Sequence, residues 1–245
     1  MRIQRAARRQ RRSRWLGCGC LGAAFGVVLV GLVAVIVIVP ALPGLAARVA
    51  GLTARGSTDA VFADAPPPAV QVENAATPPD AVVILGDYGQ ASLDAAAGYY
   101  SLVTGFSGGV PTAVIGFTEN SLMELCGLYA DICDPTGGSF RNVRLDLRPG
   151  GAVVYADLLV PGLSVWQPVG VVLRLDAARR QFVVVGVDLG GTLYDLPPDA
   201  LGEQVTQLAN AGNDLLRRLE LQAGGGRYAQ PEVLIDDQTL TLVLR

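Results

Sequence analysis

The chain is 245 residues long and slightly more than half hydrophobic, with 22 acidic residues against 19 arginines, no lysine, no histidine and a net charge of −3. Without histidine the usual general base is missing, along with Ser-His-Asp and Cys-His arrangements and nearly every common zinc site other than all-thiolate or carboxylate ones. The charges are also unevenly divided: seven arginines and no acid precede residue 15, while the twelve remaining arginines face all 22 acids beyond it, a negative surplus that argues against nucleic acid as a partner.

In chain order, Arg2, Arg5, Arg8, Arg9, Arg11, Arg12 and Arg14 make residues 1–14 a basic tail. The uncharged run from Trp15 to Val39 would extend roughly 37 Å as a helix, enough to cross a hydrocarbon core of ~30 Å. It predicts a transmembrane helix over 15–39, and the flanking arginines place the N-terminus in the cytoplasm and the rest of a single-pass protein outside the cell membrane. A cleaved signal peptide is the alternative, with Gly44-Leu45-Ala46 as a poor cleavage site, but its apolar core should be shorter. Within the run, Gly22 and Gly26 have the spacing that lets two membrane helices approach as a dimer, although glycine is common in such helices anyway. Cys18 and Cys20 precede the apolar core instead of following it, so they read as packing residues and not as an acylation site. Residues 40–80, with Ala65-Pro66-Pro67-Pro68 and Thr77-Pro78-Pro79-Asp80, read as a proline-rich linker. Residues 81–245 are left for one extracytoplasmic domain.

In that domain Ala81 to Leu85 reads as a buried strand and Ser92 to Leu102 as a weak helix interrupted by Gly98. Thr112 to Phe117 predicts a strand leading into a helix, since Ser121 with Glu124 fits a capping box and Thr118 offers another cap. From Phe140 the hydrophobic period becomes two, with Val143, Leu145 and Leu147 alternating with charged residues. Strands over about 152–160, 169–175 and 181–189 follow, joined by Pro149-Gly150-Gly151 and by Asp176 to Arg180. Such close spacing implies an antiparallel meander. A long helix is expected after Pro197-Pro198, with a stripe at Leu201, Val205, Leu208, Gly212, Leu215 and Leu219 that must face something apolar. One strand over about 228–235, a turn at Asp236-Asp237 and a strand carrying Leu240, Leu242 and Leu244 finish the chain. The expected class is α+β: an N-terminal transmembrane helix, then an antiparallel curved sheet packed on one long helix and a shorter one.

Several phrases carry a resemblance. Gly116-Phe117-Thr118-Glu119-Asn120-Ser121-Leu122, Val187-Asp188-Leu189-Gly190-Gly191, Leu193-Tyr194-Asp195-Leu196-Pro197 and the closing Val233 to Leu242 resemble the small single-anchored bacterial proteins of the YpmS and LmeA-like type. The resemblance covers residues 112–245. It implies a reduced TULIP-like domain in which a curved sheet wraps a long helix and encloses an apolar groove for lipid, with no catalytic residue. Residues 81–111, including Tyr99-Tyr100, have no counterpart in it.

Candidate sites are few. Cys126 and Cys133, the only cysteines beyond the anchor, are expected to form one disulfide in an oxidising compartment, the alternative being two buried thiols. Asp131 and Asp134 lack the alternating oxygen ligands of a calcium loop, capping accounts for Glu119 and Glu124, and the glycine clusters 105–109 and 224–226 match no phosphate-binding fingerprint. No cofactor or metal is expected. The stripe from Leu201 to Leu219 is either core or the face of a ligand groove. The expected function is therefore a membrane-anchored, non-enzymatic domain that binds lipid or another apolar ligand or serves envelope maintenance. A structural or protein-interaction ectodomain with a solid core is the alternative, and a carboxylate-dependent hydrolase a distant third.

Overall fold

The computed structural model describes residues 53–84, 86, 90–93, 98–127, 140–160, 165–196, 206, 209–210, 212–214 and 216–245. The strands are β1 (Ala54–Ser57), β2 (Glu73–Ala76), β3 (Ala81–Ile84), β4 (Gln90–Leu93), β5 (Ser101–Ser107), β6 (Val110–Thr118), β7 (Phe140–Arg148), β8 (Gly151–Val160), β9 (Val165–Asp176), β10 (Gln181–Leu189), β11 (Thr192–Tyr194), β12 (Glu220–Ala223), β13 (Gly226–Tyr228), β14 (Glu232–Ile235) and β15 (Thr239–Leu244). A 3-10 turn spans Thr58–Val61 and a helix, α1, spans Glu119–Gly127. Three antiparallel sheets result. The largest has the order β1-β11-β10-β9-β8-β7, and two smaller ones run β13-β12-β3-β4 and β14-β15-β6-β5-β2.

The meander forms as its alternation predicts. On β8, Ala152, Val154 and Ala156 face the main core, while Val153 and Tyr155 face the other side, where Val153 joins Val172 and Leu193 in a second, smaller apolar cluster. The small sheets are closed by opposite ends of the chain. β3 lies between β4 and β12, with Val83 opposite Leu221, and β6 lies between β5 and β15, with Ile115 opposite Leu242. These four side chains are fully buried, so closure places apolar surface from both termini of the domain in one core. α1 caps that core with Leu122. Its N-cap is Thr118: the Thr118 hydroxyl accepts from the Ser121 amide at 3.1 Å, and the Ser121 hydroxyl accepts from the Thr118 amide at 2.8 Å. This is the reciprocal logic of a capping box with serine in the usual acid position.

The expected fold class is corrected here. Among the described residues strand accounts for 58% and helix for 14%, no long helix is present as a complete element, and three sheets stand where one curved sheet was expected. The stretch 81–118 is the main reason. Its short valine-, threonine- and tyrosine-rich segments satisfy their backbone groups by pairing with partners elsewhere in the chain, which propensity does not anticipate. The weak helix expected over Ser92 to Leu102 is replaced by the end of β4 and the start of β5, and Gly98 stands between them at φ 77°. Helical residues occur at 206, 209–210, 212–214 and 216–218, but at Leu219 the chain leaves the helix and enters β12. The single strand expected over 228–235 is two, β13 and β14, separated by Gln230 at φ 52°. Within the expected linker, β1, the 3-10 turn and β2 are ordered parts of the sheets.

Two further expectations are corrected for the described residues. No helix among them is long and apolar enough to cross a membrane, and no disulfide is seen. Residues 15–39, with Gly22 and Gly26, lie outside the described residues, as do Cys133 and the side chain of Cys126.

Candidate functional site

The stripe expected to line a groove is resolved in part. Gly212 is buried and Leu219 is fully buried in the main core, whereas Leu201, Val205, Leu208 and Leu215 fall outside the described residues. The neighbours that point inward are Ala209, Asn213 and Leu216. Asn213 carries a role that the apolar stripe concealed. Its amide oxygen accepts from the Phe182 N–H at 2.7 Å and its amide nitrogen donates to the Phe182 carbonyl at 2.8 Å. β11 pairs only with residues 187–189 of β10, so the buried asparagine satisfies the β10 edge at Phe182, where no strand among the described residues pairs. An asparagine inside an apolar stripe was the signal available. Glu119 and Glu124 do not converge on a site: a Glu119 carboxylate oxygen accepts the Leu147 N–H at 2.6 Å, and Glu124 is exposed. At the turn, Asp236 accepts hydrogen bonds from the Gln238 and Thr239 amides. Burial raises its pKa, but these bonds and one from the Thr239 hydroxyl outweigh burial and hold it below the usual carboxylate value.

One polar cluster is buried beneath a strap. After β1, the Thr58 amide donates to the Gly191 carbonyl at 3.0 Å, the chain crosses the outer face of the meander, and the Ala63 amide donates to the Pro149 carbonyl at 2.9 Å. Under this strap the buried Thr58 hydroxyl donates to the buried Asp188 carboxylate, and Val61 and Phe62 cover Val153, Val172 and Leu193. Tyr155 reaches the same carboxylate from β8. Gly170 on β9 pairs with both Tyr155 and Asp188, and a Cβ on it would lie 2.7 Å from the tyrosine ring. Only glycine lets the ring cross the intervening strand. Burial, and then the facing Asp188, push the phenol pKa up to about 12. The cluster is a buried carboxylate held by hydroxyls, and it fastens the strap to the meander.

A cleft of about 490 Å³ opens where the strap leaves the meander. Ala63, Ala65 and Pro67 form one wall, Leu175 and Ala177 from the β9–β10 connection another, and Val233, Leu234 and Ile235 of β14 the third. Gly150 ties the walls together, its amide donating to the Ile235 carbonyl at 3.1 Å. Glu232 and Arg180 complete the lining. Glu232 is paired with Arg245 at 2.9 Å, and Arg180 has no carboxylate partner among the described residues. A second cleft of about 510 Å³ lies between Pro79-Asp80 and the turn Gly224–Arg227, and its arginine is paired with Glu220.

Among the described residues no group of three or more His, Cys, Asp or Glu side chains is placed to hold a metal. No protein-family model, no curated protein and no solved structure matches the chain.

Proposed function

We propose that this protein is a membrane-held extracytoplasmic domain that works by binding and not by catalysis, and that the cleft beside β14 takes an amphiphile, a lipid with its acyl part among Leu175, Val233 and Leu234 and its anionic head at Arg180. The observation that carries this reading is an apolar cleft of about 490 Å³ whose lining includes Arg180, a guanidinium with no carboxylate partner among the described residues. Its size and apolar lining fit a small-ligand site. The domain is acidic as a whole, so a local cation beside an apolar recess is what lipid contact requires of it. The arginine-rich tail and the uncharged run of 15–39 support the membrane location. The buried acid, Asp188, is engaged with Thr58, which fits a fastening better than the acid or base of a hydrolase.

One observation favours the second reading, a solid scaffold: Gly212, Leu216 and Leu219 are buried in a closed core, so the helical stripe does not face an open groove there. Native mass spectrometry of the full chain decides between them. Lipid should be carried by the wild type, and Leu234→Trp and Arg180→Glu should each lower its occupancy about tenfold, equivalent to ~1.4 kcal/mol. A wild type free of lipid, with an unchanged melting temperature in both variants, would leave the scaffold.

A further inference from the structure

Among the described residues Phe106 and Val110 are the exposed large hydrophobic ones, at 43% and 46%, and both sit at the tip of the β5–β6 hairpin. Phe106 pairs with Pro111 and Ser107 with Val110. The turn between them, Gly108-Gly109, has both φ values positive and open space around each Cα. No residue from Ala95 to Thr118 is charged, the longest uncharged run after that of the N-terminal segment. A single exposed apolar residue needs no explanation, but Phe106 and Val110 project from opposite faces of the uncharged hairpin, so the tip is apolar on both sides, as a tip that enters between headgroups must be.

We propose that this tip docks into the interfacial region of a bilayer, a proposal that rests on the membrane-held reading above. Reach supports this occupant. Thirteen residues separate Val39 from Thr53, and even fully extended they span no more than about 45 Å, so the domain is confined close to the surface that holds it. Confinement raises the effective concentration of lipid at the tip, so a weak contact is enough to orient the domain. Charge also favours it, because an acidic domain is repelled by anionic headgroups except where it carries no charge. Glu73 lies opposite Phe106 on β2 and limits the depth. The tip reaches the boundary between headgroups and acyl chains while the carboxylate stays at headgroup level.

The test uses the full chain in phosphatidylcholine vesicles containing lipids brominated near the headgroup end of the acyl chain. One variant carries Trp166→Phe and keeps Trp15 as the reporter of the anchor. A second carries Trp15→Phe, Trp166→Phe and Phe106→Trp and reports the tip. Docking predicts a blue-shifted tip emission that loses most of its intensity to brominated lipid, and recovery of that intensity on adding Val110→Asp. Quenched Trp15 with a solvent-like tip emission would overturn the proposal and spare the anchor. A blue-shifted but unquenched tip would overturn it in favour of a protein contact. Unquenched Trp15 would remove the membrane-held reading and the tip proposal with it.

Discussion

The meander β7–β11 and the two small sheets are built from similar strands but held by different kinds of neighbour. In the meander each strand pairs with the next in sequence, across connections such as Pro149-Gly150 and the four residues after Asp176. In the small sheets the central strands β3 and β6 depend on β12 and β15, from the opposite end of the chain. Local pairing closes small loops and long-range pairing closes large ones, so the small sheets become favourable only when most of the core is assembled. The strap adds a third level, a segment fastened to a finished sheet by one buried carboxylate and a small apolar cluster.

The largest effect should come where both chain ends meet. Leu221→Ala, opposite Val83 in the closed core, should cost about 4–5 kcal/mol, whereas Leu193→Ala beneath the strap should cost about 2–3 kcal/mol because the thin cover can settle into the space. Urea denaturation measures both. Equal losses would mean that the strap cluster is as rigidly packed as the core, and the contrast would fall.

Next comes the asparagine at the open edge of β10. Asn213→Ala leaves the Phe182 N–H and carbonyl without partners in a buried position, at about 2–3 kcal/mol. Amide hydrogen exchange at Phe182 should accelerate in this variant while that at Val172, in the middle of the meander, changes little. Unchanged exchange at Phe182 would mean that some other group closes the edge.

The smallest effect is confined to alkaline pH. The folded phenol of Tyr155 has its pKa raised from 10.0 to about 12, so the folded state favours the neutral form. The stability this contributes is complete below pH 10 and is lost as pH rises through about 12. The chain has no lysine to titrate in the same window, which leaves the remaining tyrosines and cysteines as background. Tyr155→Phe should flatten the melting temperature between pH 10 and 12 relative to wild type. An identical pH profile would show that neither burial nor Asp188 raises the Tyr155 phenol.

By itself the sequence determined what depends on near neighbours. Gln181 to Leu189 was legible as a strand to the residue, the turns at Asp176 to Arg180 and Asp236-Asp237 followed from their side chains, and the start of α1 followed from Thr118, the alternative cap, whereas the box expected from Ser121 and Glu124 gives way to one between Thr118 and Ser121. Alternation and capping act within a few residues, so the order of letters contains them. Tertiary structure decided the rest. That Ser92-Leu93 and Ser101-Leu102 are strand depends on partners in β3 and β6, that Leu219 belongs to a core and not to a groove depends on β12 returning to β3, and that Asp188 is buried depends on Thr58 being carried across the meander. The cleft at Arg180 is likewise formed by three distant segments, and the physical reason is common to all of these: an edge, a burial or a recess is a property of two surfaces, and the letters of one segment specify only its own.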